Sequence, residues 1–170
     1  MSVLLNIAYK SQYDADAAAS RNDCGPACLA MLVNALGVTA TTDAVFHRTG
    51  AAVEGYISMA QLMRPGESYH APLEFRKGWS LGQLRAMLDL ARPAIALVHY
   101  GAFVEVQPGV VTQSQFTGPH FLLVVGYDEQ HIVAHVTEIF RDRNACINRC
   151  FTRRNWHIGG VGDKDCSFHQ

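Results

Sequence analysis

The chain is short of charge, and the charge it carries is balanced. Asp, Glu, Lys and Arg make up only 17% of its 170 residues, with 14 basic against 15 acidic side chains and a formal net charge of −1. No basic stripe follows the pattern of a phosphate backbone. The densest stretch, Arg141 to Arg154, is broken by Asp142, by cysteines and by apolar residues, which argues against nucleic acid as a partner. Long apolar runs are also lacking: no segment approaches the roughly 18 residues of a membrane span. The opening Met1-Ser2-Val3-Leu4-Leu5-Asn6 has neither the basic region nor the apolar length of a secretion signal. The expectations are no membrane partner and a cytoplasmic location. Cysteine is scarce and odd in number, so at least one of the five thiols stays outside any intrachain disulfide. Low charge does not mean disorder here. With 49% apolar residues, the chain reads as one domain over residues 1–170, long enough to bury about 70% of the surface its unfolded form would expose.

Against that background one run stands out: Asn22-Asp23-Cys24-Gly25-Pro26-Ala27-Cys28-Leu29-Ala30-Met31-Leu32. It places a cysteine at the first turn of an apolar helix over residues 24–36, closed by Gly37. Pro26 suits the first helical positions, where a missing N–H costs nothing. The positive end of a helix stabilises an anion, so Cys24 is expected to hold a larger thiolate fraction than an ordinary thiol. The competing reading is a buried structural cysteine. Cys28, one turn on, reads as a small core residue.

About a hundred residues downstream, Gly118-Pro119-His120 leads into Phe121-Leu122-Leu123-Val124-Val125-Gly126-Tyr127-Asp128. A continuous Val-rich run of this length predicts a central strand buried on both faces. His120 stands at its start, a rigid place for a general base. A cysteine at a helix start and a histidine at a strand start, far apart in sequence, suit a thiol–imidazole pair.

The remaining pattern predicts helices first and strands after. Leu4–Tyr9 reads as a short strand. Thr42–Arg48 reads as a helix behind a threonine cap, and Ser58 with Gln61 opens another, ended by Pro65-Gly66. Ser80 with Gln83 opens a third, stopped by Pro93. Strands are expected at Ala94–Tyr100, about Phe103–Thr112, His120–Tyr127 and Ile132–Glu138, with Gln113–Pro119 a polar turn. This is an α+β layout with a mostly antiparallel sheet.

Taken together, Gln12, the Asn22-to-Ala27 run, and His120-Phe121 through Gly126-Tyr127-Asp128 resemble the bacteriocin-processing, double-glycine cysteine peptidases and their wider papain-like relatives. The resemblance spans roughly residues 5–137, leaving the tail 139–170 unassigned. It implies a papain-like fold, with Cys24 as nucleophile, His120 as base and Gln12 as the side-chain donor of an oxyanion hole. It implies thiol-dependent hydrolysis of a peptide or amide bond in a peptide or protein substrate, and neither cofactor nor metal. Two alternatives stand beside it. One is a cell-wall amidase or protein deamidase with the same Cys–His logic. The other is a catalytically impaired peptide-binding domain.

One family element is missing. The family pattern has an Asp, often followed by Pro, on the strand after the histidine strand. Here Val136 and Thr137 fill those places. Asp128 is no substitute, because eight residues along a strand separate it from His120 by about 26 Å. If residues 127–130 turn a hairpin, His120 faces the region of residue 137. Glu138, on the same face as Val136, is then the candidate third member. In the tail, Cys146, Cys150 and Cys166 with His157 and His169 have an irregular spacing for zinc. A tail packing Phe151 and Trp156 onto the domain is the preferred reading. His99 reads as a core histidine, and His47, His70, His131 and His169 as surface positions.

Overall fold

Two Ser-x-x-Gln boxes and one threonine cap set the starts of three helices in the computed structural model of the protein. It describes residues 2–17, 22–53, 55–99, 104–107, 110–113, 118–137 and 148–152. The described residues fall into two compact units interleaved in sequence. One takes Asn6–Phe75 with Val136 and Thr137; the other takes the chain up to Leu5, Arg76–His135 and the strand at 148–152.

The first unit is helical. Helix α1 (Cys24–Ala35) is buried over most of its length, from Gly25 to Met31 and again at Val33, so it packs all round rather than along one stripe. Asn34, its polar exception, is exposed and binds the following loop with both ends of its amide. Its Nδ2 donates to the Ala40 carbonyl at 3.1 Å, and its Oδ1 accepts the Ala40 N–H at 2.8 Å. Helix α2 (Thr42–Thr49) begins where Thr41 Oγ1 accepts the Ala44 N–H, a cap that contributes about 1 kcal/mol. Helix α3 (Met59–Ser68) carries the expected Ser58/Gln61 capping box. It runs past Pro65-Gly66 to Ser68, where the sequence pattern would end it. Proline removes one intrahelical N–H, but the Pro65 carbonyl still accepts from Tyr69 N–H at 3.1 Å, and Pro65 and Gly66 are both buried. Gly66 is required by packing: a Cβ there would lie 2.7 Å from the Ala71 carbonyl oxygen.

The second unit is a sheet with helix α4 (Leu81–Asp89) packed on it. The helix opens with the Ser80/Gln83 box and ends four residues before Pro93, because Ala91 adopts a left-handed φ of 56° and turns the chain earlier. Strand β1 (Val3–Leu4) is far shorter than the expected Leu4–Tyr9. It pairs with Tyr127 and Gly126 of the central strand, and the next stretch of that strand is taken by β2 (Ala94–His99), so β1 has no edge left to extend along. The expected strand over 103–112 is instead a hairpin, β3 (Val104–Gln107) with β4 (Val110–Gln113). The two strands pair antiparallel, from Val104 opposite Gln113 to Gln107 opposite Val110.

Strand β5 (Pro119–Tyr127) is buried from His120 to its end, as its unbroken apolar run requires. Strand β6 (His131–Val136) follows through a tight turn, and the sheet order is β1-β5-β6-β7, with β2 also on β5. Gly126 lets β1 approach closely, since a Cβ would collide with the Val3 carbonyl oxygen. Part of the unassigned tail joins the sheet: β7 (Asn148–Thr152) pairs antiparallel with β6.

Candidate active site

Cys24 is the first residue of α1 and is half-buried, whereas Cys28 is fully buried, and neither is in a disulfide. Intrahelical bonding begins at Ala27, whose N–H donates to the Asp23 carbonyl at 2.8 Å, and Pro26 has no N–H to place. Cys24 therefore occupies the positive end of a twelve-residue helix, where negative charge is favoured. Cys28 has no such setting: burial pushes its thiol well above the usual range, and the Cys24 charge adds to this.

Asp23, at the N-cap position, is where the structure departs most from an ordinary helix start. Its backbone has φ −85° and ψ 6°, and its side chain caps nothing. The carboxyl is completely buried, and neither oxygen has a hydrogen-bond partner among the described residues. Burial raises it to about 6, with Asp43 adding to the rise and His47 opposing it. Nothing local in the sequence signals this, because an Asp before a helix reads as a side-chain cap.

Gln12 is 3% exposed and tied to Thr137 twice. Its backbone N–H donates to the Thr137 carbonyl at 3.1 Å, and its Oε1 accepts from Thr137 Oγ1 at 2.9 Å. Ser11 Oγ donates to the same carbonyl at 3.0 Å, and the Tyr9 hydroxyl donates to the Val136 carbonyl at 3.1 Å. With its carbonyl end occupied, the Gln12 side chain keeps an N–H2 group to donate elsewhere.

His120 lies opposite Val98 in the β2–β5 pairing and is 2% exposed. Burial lowers its imidazole to about 4, so at neutral pH the ring is the unprotonated base form. The proposed site residues therefore divide by unit: Cys24 and Gln12 belong to the helical unit, and His120 to the sheet unit.

The candidates for a third member resolve unevenly. The Asp128 carboxylate is spent on the β5–β6 turn, accepting the N–H groups of Gln130 at 2.7 Å and His131 at 2.6 Å and meeting the His131 ring at 3.0 Å. The His131 bond, followed by the two backbone bonds, holds it down at about 2. Val136, which the sequence resemblance sets against the family acid, is a fully buried hydrocarbon side chain. Thr137 is also fully buried, and its hydroxyl goes to Gln12. That engagement escaped the sequence reading, which weighed Thr137 only against His120. Glu138 lies outside the described residues, as do residues 139–147 and 153–170 with Cys146, Cys166, His157 and His169. Among the described residues no group of three or more His, Cys, Asp or Glu side chains could hold a metal ion, and no helix is long and apolar enough to cross a membrane.

With this geometry in view, the sequence comparison is decisive on one point. The model of the Peptidase_C39 like family matches residues 4–143. The chain belongs to that family. The match is to C39-like cysteine peptidases in general and spans Gln12, Cys24, His120 and the Val136-Thr137 pair alike. Among solved structures, one from Bacillus anthracis described as a C39-like peptidase aligns with a TM-score of 0.67 at 13% identity, covering 91% of this chain and 90% of that one. At that identity the likeness establishes the fold, which is α+β and papain-like. No protein of curated function matches the sequence significantly.

Proposed function

We propose that this C39-like chain hydrolyses peptide or amide bonds with Cys24 as nucleophile, His120 as general base and Gln12 as side-chain oxyanion donor. The observation that carries this reading is Cys24 at the first residue of the buried helix α1. There the helix end favours the thiolate. The Cys24 sulfur adds to the substrate carbonyl as His120 takes the thiol proton. The Gln12 N–H2 and the Cys24 backbone N–H stabilise the oxyanion. The tetrahedral species then collapses, the C–N bond breaks, and the amine leaves with the proton from His120. Water, deprotonated by the same imidazole, cleaves the thioester to release the acid and restore the thiol. The neutral imidazole is the form that accepts the first proton, and Glu138 is the proposed orienting acid. The finer likeness to double-glycine peptidases rests on the same motif residues.

A second reading, a peptide-binding domain without turnover, has one observation in its favour: the hydrocarbon of Val136 where the family places an acid. Mass spectrometry of Gly-Gly-containing peptides incubated with the wild type and with Cys24→Ala separates the two. The hydrolytic reading expects cleavage by the wild type and none by the variant. Ammonia release from glutamine without backbone cleavage indicates the deamidase alternative. No product from any peptide, with intact binding, indicates the second reading.

A further inference from the structure

A primary amide has two unlike ends, and only one serves an oxyanion hole. Its N–H2 stabilises developing negative charge, whereas its carbonyl oxygen repels it. A glutamine in that role must therefore be held in one of its two amide orientations. The fold supplies the means at Thr137. The Thr137 hydroxyl is fully buried and lies 2.9 Å from Gln12 Oε1, so its single hydrogen is given to the carbonyl end. The backbone repeats the link, with Gln12 N–H and Ser11 Oγ both donating to the Thr137 carbonyl at 3.1 and 3.0 Å. Ser11, Gln12 and Thr137 are 8%, 3% and 0% exposed, so water does not compete for these bonds. The link joins residues 125 apart in sequence. Thr137 also stands where the resemblance places a proline, which has no hydroxyl to give.

We propose that Thr137 is a positioning residue: its hydroxyl holds the Gln12 side-chain amide in the orientation that reserves the N–H2 for the oxyanion. The inference rests on the proposed role of Gln12 as donor. The reversed amide would turn a carbonyl oxygen toward the forming charge, so the hydroxyl selects the competent rotamer rather than touching substrate.

Two reagents separate the roles. p-Nitrophenyl acetate acylates a thiolate through a tetrahedral oxyanion: the sulfur–carbon bond forms, and p-nitrophenolate leaves. Iodoacetamide alkylates the same sulfur by direct displacement of iodide and forms no oxyanion. Both rates are measured on the folded full chain, with the Cys24→Ala background subtracted. The expected acylation rate falls about 100- to 1000-fold in Gln12→Ala. It falls about tenfold in Thr137→Val, the size of effect expected from one neutral hydrogen bond. Thr137→Ser, which keeps the hydroxyl, is expected to stay within about threefold of the wild type, a change worth less than one such bond. Alkylation of Cys24 stays unchanged in all three. Slowed acylation in Gln12→Ala with a wild-type rate in Thr137→Val overturns the proposal. So does Thr137→Ser as slow as Thr137→Val, because a variant that keeps the hydroxyl would then lose as much as one that lacks it. Wild-type acylation in Gln12→Ala instead removes the donor role and the inference with it. No acylation above the Cys24→Ala background removes the nucleophile itself.

Discussion

At the residue scale the helix start carries two acids side by side, and they have opposite settings. Cys24 sits half-exposed at the positive end of α1, while the Asp23 carboxyl is buried, with neither oxygen bonded among the described residues. A buried carboxylate without partners is costly, and its rise from 3.8 to about 6 states that cost. Between those values the folded chain binds more protons than the unfolded chain at this site, so stability falls as pH rises through that window and is level above it. Asp23→Asn lacks the titration. Its stability relative to the wild type is expected to improve by about 2 kcal/mol between pH 4 and pH 7, since each pKa unit is worth about 1.4 kcal/mol and part of the change already lies below pH 4. Thermal melts of both proteins across that range give the answer, and a constant difference would mean the carboxyl is solvated. The sequence told little of this. The motif identifies Cys24 through the chemistry of a helix start, whereas the burial of Asp23 and the bond between Thr137 and Gln12 depend on tertiary neighbours far off in sequence.

At the element scale, local signals fared well wherever they were self-contained. The capping boxes at Ser58/Gln61 and Ser80/Gln83 form as written because all their partners lie within four residues. The burial of β5 follows from its own composition. Elements whose limits depend on a neighbour were misjudged. Strand β1 is cut short by β2 on the same edge of β5, and the tail strand β7 exists through its pairing with β6. The β5–β6 hairpin shows how an acid near the motif can be structural. Asp128 accepts two backbone N–H groups and meets the His131 ring, and the Arg85 guanidinium donates to its carbonyl at 2.7 Å. Asp128→Ala is therefore expected to lower Tm while leaving turnover within about threefold, because the lost bonds stabilise a turn and not a reacting group. Loss of turnover in a folded variant would bring Asp128 into the site and overturn the assigned turn.

At the scale of the whole molecule, the family match and the papain-like fold agree with the order of motifs along the chain. The two compact units each hold part of the proposed machinery by bonds of their own. In the helical unit, α1 presents Cys24 and Thr137 restrains Gln12. In the sheet unit, strand pairing and burial fix His120 as a neutral imidazole. The central claim is that Cys24 and His120 act as one thiol–imidazole pair. Its most direct test is iodoacetamide labelling near pH 6 of the wild type and of His120→Ala, with the modified cysteines mapped by mass spectrometry. A thiol with the usual pKa of about 8.5 is almost wholly protonated at that pH, whereas an activated one is not. In the wild type Cys24 is expected to label well before Cys28, Cys146, Cys150 and Cys166, and in His120→Ala it is expected to label more slowly, keeping only the part of its advantage that the helix end supplies. Labelling of Cys146, Cys150 or Cys166 ahead of Cys24, or equal labelling of Cys24 in both proteins, would contradict the pair.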